Sequence, residues 1–298
     1  MFPEGSHLFH NQNGTAPGMV LDLQGKLIIT LPGPPSELKK MFVSEVIPYL
    51  INYYNIQKRI IKSKVLRVYG IGESAIEEEI KSILENQTNP TIALLAKQSE
   101  INIRITAKAS DENIAQEMIE EIESKIMNKI GRYVFSTDDK DMEDIIAELL
   151  KKNKMTIALA ESCTGGLISD RLTNIPGSSE YFDRSVVCYS NKAKVELLNI
   201  DEQLINMYGA VSPEVAIAMA EGIRKISNTN LGLAVTGIAG PDGGTAEKPV
   251  GLVYIALATQ NGAIYEKHML AGGRKGIKYR ASQTALDFLR KYLLNLKN

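Results

Sequence analysis

Apolar and polar positions alternate along this chain in three successive styles. Residues 20–23 and 27–31 are short β-type runs that meet at Gln24-Gly25, a dipeptide suited to a two-residue hairpin turn. Pro32-Gly33-Pro34-Pro35 breaks the chain before a helix expected over 36–54, which Pro48 should end or kink. Two strands and one helix bury too little apolar surface to fold alone, so residues 1–57 are expected to lean on something else.

The second style, residues 58–138, reads β-α-β-β-α. Residues 65–69 form a strand, Gly70 and Gly72 turn into a helix carrying Ile76, Ile80, Ile83 and Leu84, and residues 92–96 and 101–107 make a strand pair. A helix over 111–129 shows a stripe at Ile114, Met118, Ile119, Ile122 and Ile126. This is the pattern of a small α+β module. The charged run Asp138-Asp139-Lys140-Asp141 reads as a junction or linker.

From residue 139 to 298, helices alternate with short apolar strands, which argues for an α/β/α sandwich. The expected order is helix 142–152, strand 156–160, helix to 173, strand 186–189, helix 213–226 and strand 231–235. An antiparallel pair (252–258 and 263–270) and a closing helix over 274–296 follow. Ser212-Pro213-Glu214 has the cap-plus-proline chemistry of a helix start. The fold class is therefore α/β, with three domains at 1–57, 58–138 and 139–298.

Composition narrows the function classes. Of 298 residues, 34 are basic and 35 acidic, so the net charge of -1 gives no global attraction to nucleic acid or membranes. Two cysteines, Cys163 and Cys188, are too few for a disulfide framework and suit a reducing compartment. No apolar run approaches the roughly 18 residues that span a bilayer, and the first residues lack a secretory pattern. The expectation is a cytoplasmic protein, for which the Asn-x-Thr triplets at Asn13 and Asn86 mean little.

Three loops at strand ends carry residues capable of chemistry. The first is Glu161-Ser162-Cys163-Thr164-Gly165-Gly166: a hydroxyl and a thiol beside glycines whose N–H groups can hold an oxyanion or phosphate. The same residues would also serve as an ordinary helix cap. The second is Tyr189-Ser190-Asn191-Lys192-Ala193-Lys194. A serine nucleophile needs a base, and the three histidines, His7, His10 and His268, are poorly placed for a Ser-His-Asp triad. A lysine made neutral by burial is the remaining option, with Lys192 or Lys194 as base and Tyr189 relaying a proton. The third, Thr236-Gly237-Ile238-Ala239-Gly240-Pro241-Asp242-Gly243-Gly244, can approach a phosphate or ribose closely but lacks the Lys of a Walker loop. Gly70-x-Gly72-x-x-Ala75 is only superficially a dinucleotide fingerprint.

Taken in order, Ala160-Glu-Ser-Cys-Thr-Gly-Gly166, Pro176-Gly-Ser-Ser179, Tyr189-Ser-Asn-Lys-Ala-Lys194, Gly209-Ala-Val-Ser212 and the loop starting at Thr236 resemble the CinA (competence-damage-inducible) family. That family's C-terminal domain is a nicotinamide-nucleotide amidase. Asn13-Gly-Thr-Ala-Pro-Gly18 and Leu31-Pro-Gly-Pro-Pro-Ser-Glu37 resemble the later part of its molybdopterin-binding-like domain, and the middle segment its KH-like connector. The earlier part of the first domain, with a Gly-rich and acidic metal-binding stretch, has no counterpart here. The resemblance therefore implies an N-terminally truncated member without metal-dependent ADP-ribose hydrolysis. It further implies hydrolysis of nicotinamide mononucleotide to nicotinate mononucleotide and ammonia, without cofactor or metal. Ser162 would be the nucleophile, Lys194 the base and Tyr189 an assistant. Thr164, Gly165, Gly166, Asn191, Thr236, Gly237 and Gly240 would bind substrate. The expected partners are that small molecule and a second copy of the chain as a homodimer, with no nucleic acid and no membrane.

Overall fold

The computed structural model describes residues 2–56 and 59–296, so the expected domain boundary at Gln57 and Lys58 lies outside the described residues. The chain forms two compact units. One comprises the residues up to Ile60 together with Ala109–Glu112, and the other Ile61–Lys108 and the residues from Asn113 onward.

In the first unit, β1 (His7–Phe9), β2 (Gly18–Leu23) and β3 (Lys26–Thr30) form an antiparallel sheet in the order β1-β2-β3. Leu23 pairs with Lys26, and Gln24 and Gly25 both have positive φ (55° and 85°), the geometry that a two-residue hairpin turn of this hand requires. The helix expected over 36–54 is three pieces: α1 (Pro35–Met41), a π-helical turn (Phe42–Val46) and α2 (Ile47–Tyr53). Pro48 does not end the helix. It sits in the first turn of α2, where its missing N–H costs little, and the widened turn before it absorbs the ring. The buried core is small, built on Phe9, Val20, Met41 and Val46, while Phe42, Val43, Ile47 and Ile51 are exposed.

The second unit begins with β4 (Ile60–Val68), α3 (Glu73–Glu79), α4 (Lys81–Glu85), β5 (Thr91–Ala96), β6 (Ile101–Ala109), α5 (Glu112–Ile130) and β7 (Val134–Ser136). The sheet order is β5-β6-β4-β7. Strand β7 and the break at Ile80 were not legible as pattern, because a three-residue strand and a single-residue break carry no period. The charged run after β7 is a pinned corner, not a loose linker. Buried Arg67 donates to the Asp139 carbonyl (3.3 Å) and pairs with Asp141 (2.5 Å), and the Lys140 N–H donates to Ser136 Oγ. Asp141 then caps the next helix in a reciprocal box with Asp144.

That helix, α6 (Met142–Asn153), opens the α/β/α sandwich. It is followed by β8 (Ile157–Glu161), α7 (Leu167–Thr173), β9 (Phe182–Val187), α8 (Asn191–Leu198), α9 (Glu202–Tyr208) and α10 (Pro213–Ser227). Then come β10 (Leu231–Gly237), β11 (Leu252–Thr259), β12 (Gly262–Met269) and α11 (Arg274–Asn295). The sheet order is β12-β11-β10-β8-β9, with β8, β9 and β10 parallel and β11 and β12 antiparallel. Among the described residues no helix is long and apolar enough to cross a membrane.

Period-two alternation gives this sheet two unlike faces. Ile157, Leu159, Leu231, Leu233, Val235, Ile255 and Leu257 point toward α6, α7 and α11. Ala158, Ala160, Ala234, Ala256 and Ala258 point toward α10. The small-residue face lets α10 approach so closely that a Cβ on Gly232 would lie 2.2 Å from the Ala220 carbonyl oxygen. Gly232→Ala must therefore push α10 off the sheet, at a cost of about 1–3 kcal/mol in urea unfolding. Gly33→Ala, where an added Cβ meets nothing within 4 Å, is the control and should stay within about 0.5 kcal/mol of wild type. An unchanged urea midpoint for Gly232→Ala would contradict this packing.

Candidate active site

Strand β8 ends on Glu161, and the local geometry is built around its buried carboxylate. Oε2 accepts the N–H groups of Gly166 (3.0 Å) and Ile168 (3.1 Å), and Oε1 accepts the N–H (2.9 Å) and hydroxyl (2.7 Å) of Ser169. These are the otherwise unpaired donors of α7's first turn, and an anion here also complements the helix dipole. With both ends of the turn pinned, Ser162 is held at the strand's exit. Its N–H donates to the Val235 carbonyl (3.0 Å), and its carbonyl accepts the Gly165 N–H (3.1 Å). Gly165 and Gly166 have φ of 61° and 93°, which side-chain-bearing residues adopt only with strain.

Lys194 comes from the first turns of α8, whose start is capped by Ser190 Oγ accepting the Ala193 N–H (3.0 Å). The side chain is 1% exposed. Its Nζ donates to Ser162 Oγ (3.2 Å), the Cys188 carbonyl (2.9 Å) and the Tyr189 carbonyl (3.3 Å). Burial, with no carboxylate paired to it among the described residues, pushes its pKa below the usual lysine value. A neutral amine beside a serine hydroxyl is placed to take its proton. Lys192, two residues earlier, faces solvent and pairs with Glu196 at 3.5 Å along the helix surface. The two lysines therefore point to opposite environments.

Cys163 faces the apolar core beneath α7, where burial pushes its thiol up to about 12, so it is not a thiolate at neutral pH. Thr164 is fully buried with its Oγ1 unpartnered, and the Cys163 and Thr164 N–H groups make no backbone hydrogen bond among the described residues. Those two N–H groups remain able to serve an oxyanion. The N–H groups of Gly165 and Gly166, expected to face a ligand, are instead consumed by Ser162 and Glu161.

The remaining candidates separate on similar grounds. The exposed Tyr189 hydroxyl accepts a hydrogen bond from Arg274 Nη2 (2.8 Å), while Arg274 Nη1 donates to the Gly240 carbonyl (2.7 Å). Asn191 is exposed at the first position of α8. Thr236 Oγ1 donates to the Ala210 carbonyl (2.8 Å) and is buried. A Cβ on Gly237 would meet the Leu252 carbonyl oxygen at 2.7 Å, and one on Gly240 would meet Val250 Cγ1 at 2.5 Å. The neighbouring chain therefore already requires glycine at both positions, before any ligand is considered.

Two cations at this end escaped sequence reasoning. Arg274, the first residue of α11, ties the Tyr189 loop to the Gly240 loop. Lys278, one turn later, brings Nζ over the Ser162 turn, 3.3 Å from where a Gly165 Cβ would sit. Both read in sequence as ordinary helix-surface charges, and only the proximity of α11 to the β8 exit gives them a place here.

Comparison with known proteins follows the same outline. The model of the CinA C-terminal domain matches residues 139–293, and that of the damage-inducible protein CinA KH domain matches residues 63–136. A protein named as competence-damage inducible in Thermoanaerobacter pseudethanolicus is 48% identical over 296 residues, 99% of this chain and 71% of the relative. A CinA-like protein of Kosmotoga olearia is 47% identical over 294 residues, with the same coverage. The crystal structure of a competence or damage-inducible protein from Enterobacter asburiae shares 27% identity at a TM-score of 0.50, covering 51% of this chain and 96% of that one. With its buried Ser-Lys pair at the exit of β8, and with relatives aligned over nearly its whole length, the chain belongs to the CinA family.

Proposed function

We propose that residues 139–298 hydrolyse the carboxamide of nicotinamide mononucleotide, giving nicotinate mononucleotide and ammonia. The observation that carries this reading is the buried amine of Lys194 at 3.2 Å from Ser162 Oγ. The neutral amine takes the hydroxyl proton as Oγ attacks the carboxamide carbon. The oxyanion that forms is met by the N–H groups of Cys163 and Thr164. Collapse of the tetrahedral adduct expels ammonia, protonated by the Lys194 ammonium, and leaves a nicotinoyl ester on Ser162. Water, deprotonated by the same lysine, then hydrolyses that ester and restores the serine. No metal or cofactor enters these steps.

Arg274 and Lys278 are the residues we assign to the nucleotide's phosphate, because they bring two positive charges to the mouth of a site whose nucleophile is uncharged. Tyr189 is then a positioning residue held by Arg274, and not a proton relay. Among CinA-family activities, the amidase chemistry fits this pair better than a binding module without turnover, since a lysine kept without an anionic partner costs stability and serves no binding role.

Ammonia release by the purified protein tests the reading. Ser162→Ala should lower kcat by about 10³-fold or more, roughly 4 kcal/mol of barrier, whereas Cys163→Ala should cost far less. If Cys163→Ala abolishes turnover and Ser162→Ala does not, the nucleophile is misassigned. Nucleotide binding without ammonia release by wild type would point to the binding-module alternative.

The base gives a second prediction. Lys194→Met should abolish turnover while nucleotide still binds in calorimetry, and Lys192→Met should stay within about twofold of wild type. Only the unprotonated amine is active and its pKa lies below the usual lysine value, so kcat/KM should rise with pH and level off before about pH 10. A flat profile, or equal losses for the two lysine variants, would remove Lys194 from the role.

A further inference from the structure

A second polar cavity, of about 380 Å³, lies at the other end of the five-stranded sheet. Its walls include Met155 just before β8, Leu231 at the start of β10 and Thr259 at the end of β11, so it sits where the parallel strands begin. Ser162 sits where they end. Helix α11 runs from Arg274 at the Ser162 end to Tyr292 at the cavity, so the two sites stand on the order of 25–30 Å apart at 1.5 Å per residue.

Arg224 is the cavity's single charged lining residue, and no Asp or Glu lines it. Its Nε–H is fully buried with no hydrogen-bond partner, and no ion pair engages its guanidinium among the described residues. A buried charged donor left without an acceptor is costly, and native proteins rarely leave one. The stem is not free to turn elsewhere, because Arg224 Cβ lies 2.7 Å from the position a Gly232 Cβ would take. The other polar walls are donors as well. Asn230 spends its Oδ1 on the Thr156 N–H (2.8 Å) and hydroxyl (3.0 Å), which leaves its amide NH₂ without a protein partner. Asn228, Gln260 and Asn261 add three further side-chain amides, and Tyr292 an aromatic wall.

We propose that this cavity binds a small carboxylate-bearing monoanion of about the size of a single ring. The carboxylate is taken side-on by the Nε and Nη donors of Arg224, and the Asn230 amide completes its hydrogen bonding. The occupant is a monoanion because one guanidinium faces it, and because α10 and α11 both present their C-terminal ends here, whose partial negative charge opposes a phosphate dianion. The volume is within the range of small-molecule sites. The site is separate from Ser162 and does not depend on the amidase reading.

The probe is benzoate, with benzamide as its uncharged counterpart and inorganic phosphate as the dianion, followed by calorimetry and by amide chemical shifts of the full chain. Benzoate should bind and move the amides at 228–231 and 260–261, and benzamide and phosphate should bind at least about tenfold more weakly. Arg224→Gln should lower benzoate affinity by a similar factor, while Lys225→Gln on the exposed side of the same turn should not change it. Asn230→Asp keeps the acceptor that Thr156 needs but places a carboxylate in the cavity, so it should abolish binding in a protein that still melts like wild type. Benzamide or phosphate binding as tightly as benzoate would overturn the proposal. So would shifts confined to 162–166, no shift at all, or unchanged affinity in both Arg224→Gln and a folded Asn230→Asp.

Discussion

A single buried carboxylate organises the catalytic end of this molecule. Glu161 sits at the last position of β8 and gathers three N–H groups and a hydroxyl from the turn and first helical residues that follow it. Charge-assisted hydrogen bonds of this kind are roughly twice as strong as neutral ones, and here they make a side chain do what water or a free anion does at other helix N-termini. One consequence is rigidity. The five residues between β8 and α7 are held from both ends, so Ser162 cannot wander from the exit of the strand. Another is exclusion: a helix start already occupied by an internal anion is not available to a substrate phosphate. Positive charge for a substrate must come from elsewhere, and α11 supplies it through Arg274 and Lys278.

Lys194 imposes the opposite condition. Its amine is buried without an anion, against a hydroxyl and two carbonyls. Desolvation disfavours the charged form, and the folded chain carries that cost at neutral pH, because the unfolded lysine would be protonated there. The contribution turns favourable only as pH rises through the depressed folded value toward that of the free side chain. A fold optimised for stability alone would not keep this residue, and chemistry is a sufficient reason to retain it.

The two unlike faces of the sheet explain how one layer serves both ends. Large residues toward α6, α7 and α11 provide the thick core. Alanines and Gly232 let α10 lie close on the other face, which draws Arg224 against the sheet's far edge. The corner at Asp139–Asp141, held by Arg67, and the Tyr69 hydroxyl hydrogen-bonded to Thr284 on α11 join the small four-stranded module to this sandwich as one unit.

The sequence alone determined the elements that carry a strong period or an unambiguous signal. The Gln24-Gly25 hairpin, the alternation behind the sandwich, the Ser212-Pro213 helix start and the short motifs at the strand exits are all local, and backbone chemistry writes them directly into residue order. It also narrowed the nucleophile to one loop and the base to one of two lysines, because three ill-placed histidines leave few alternatives. Only the tertiary structure decided between those lysines. Two positions along a helix are about 200° apart, so one faces Ser162 and the other water, and that depends on how α8 packs. The same holds for the glycines, whose spacing suggested a ligand but whose missing Cβ atoms make room for Leu252, Val250 and Ala220. Arg274, Lys278 and Arg224 carry no local signature at all. A charge on a helix surface acquires meaning only from what packs beside it, and that information lies in contacts between residues far apart in the chain.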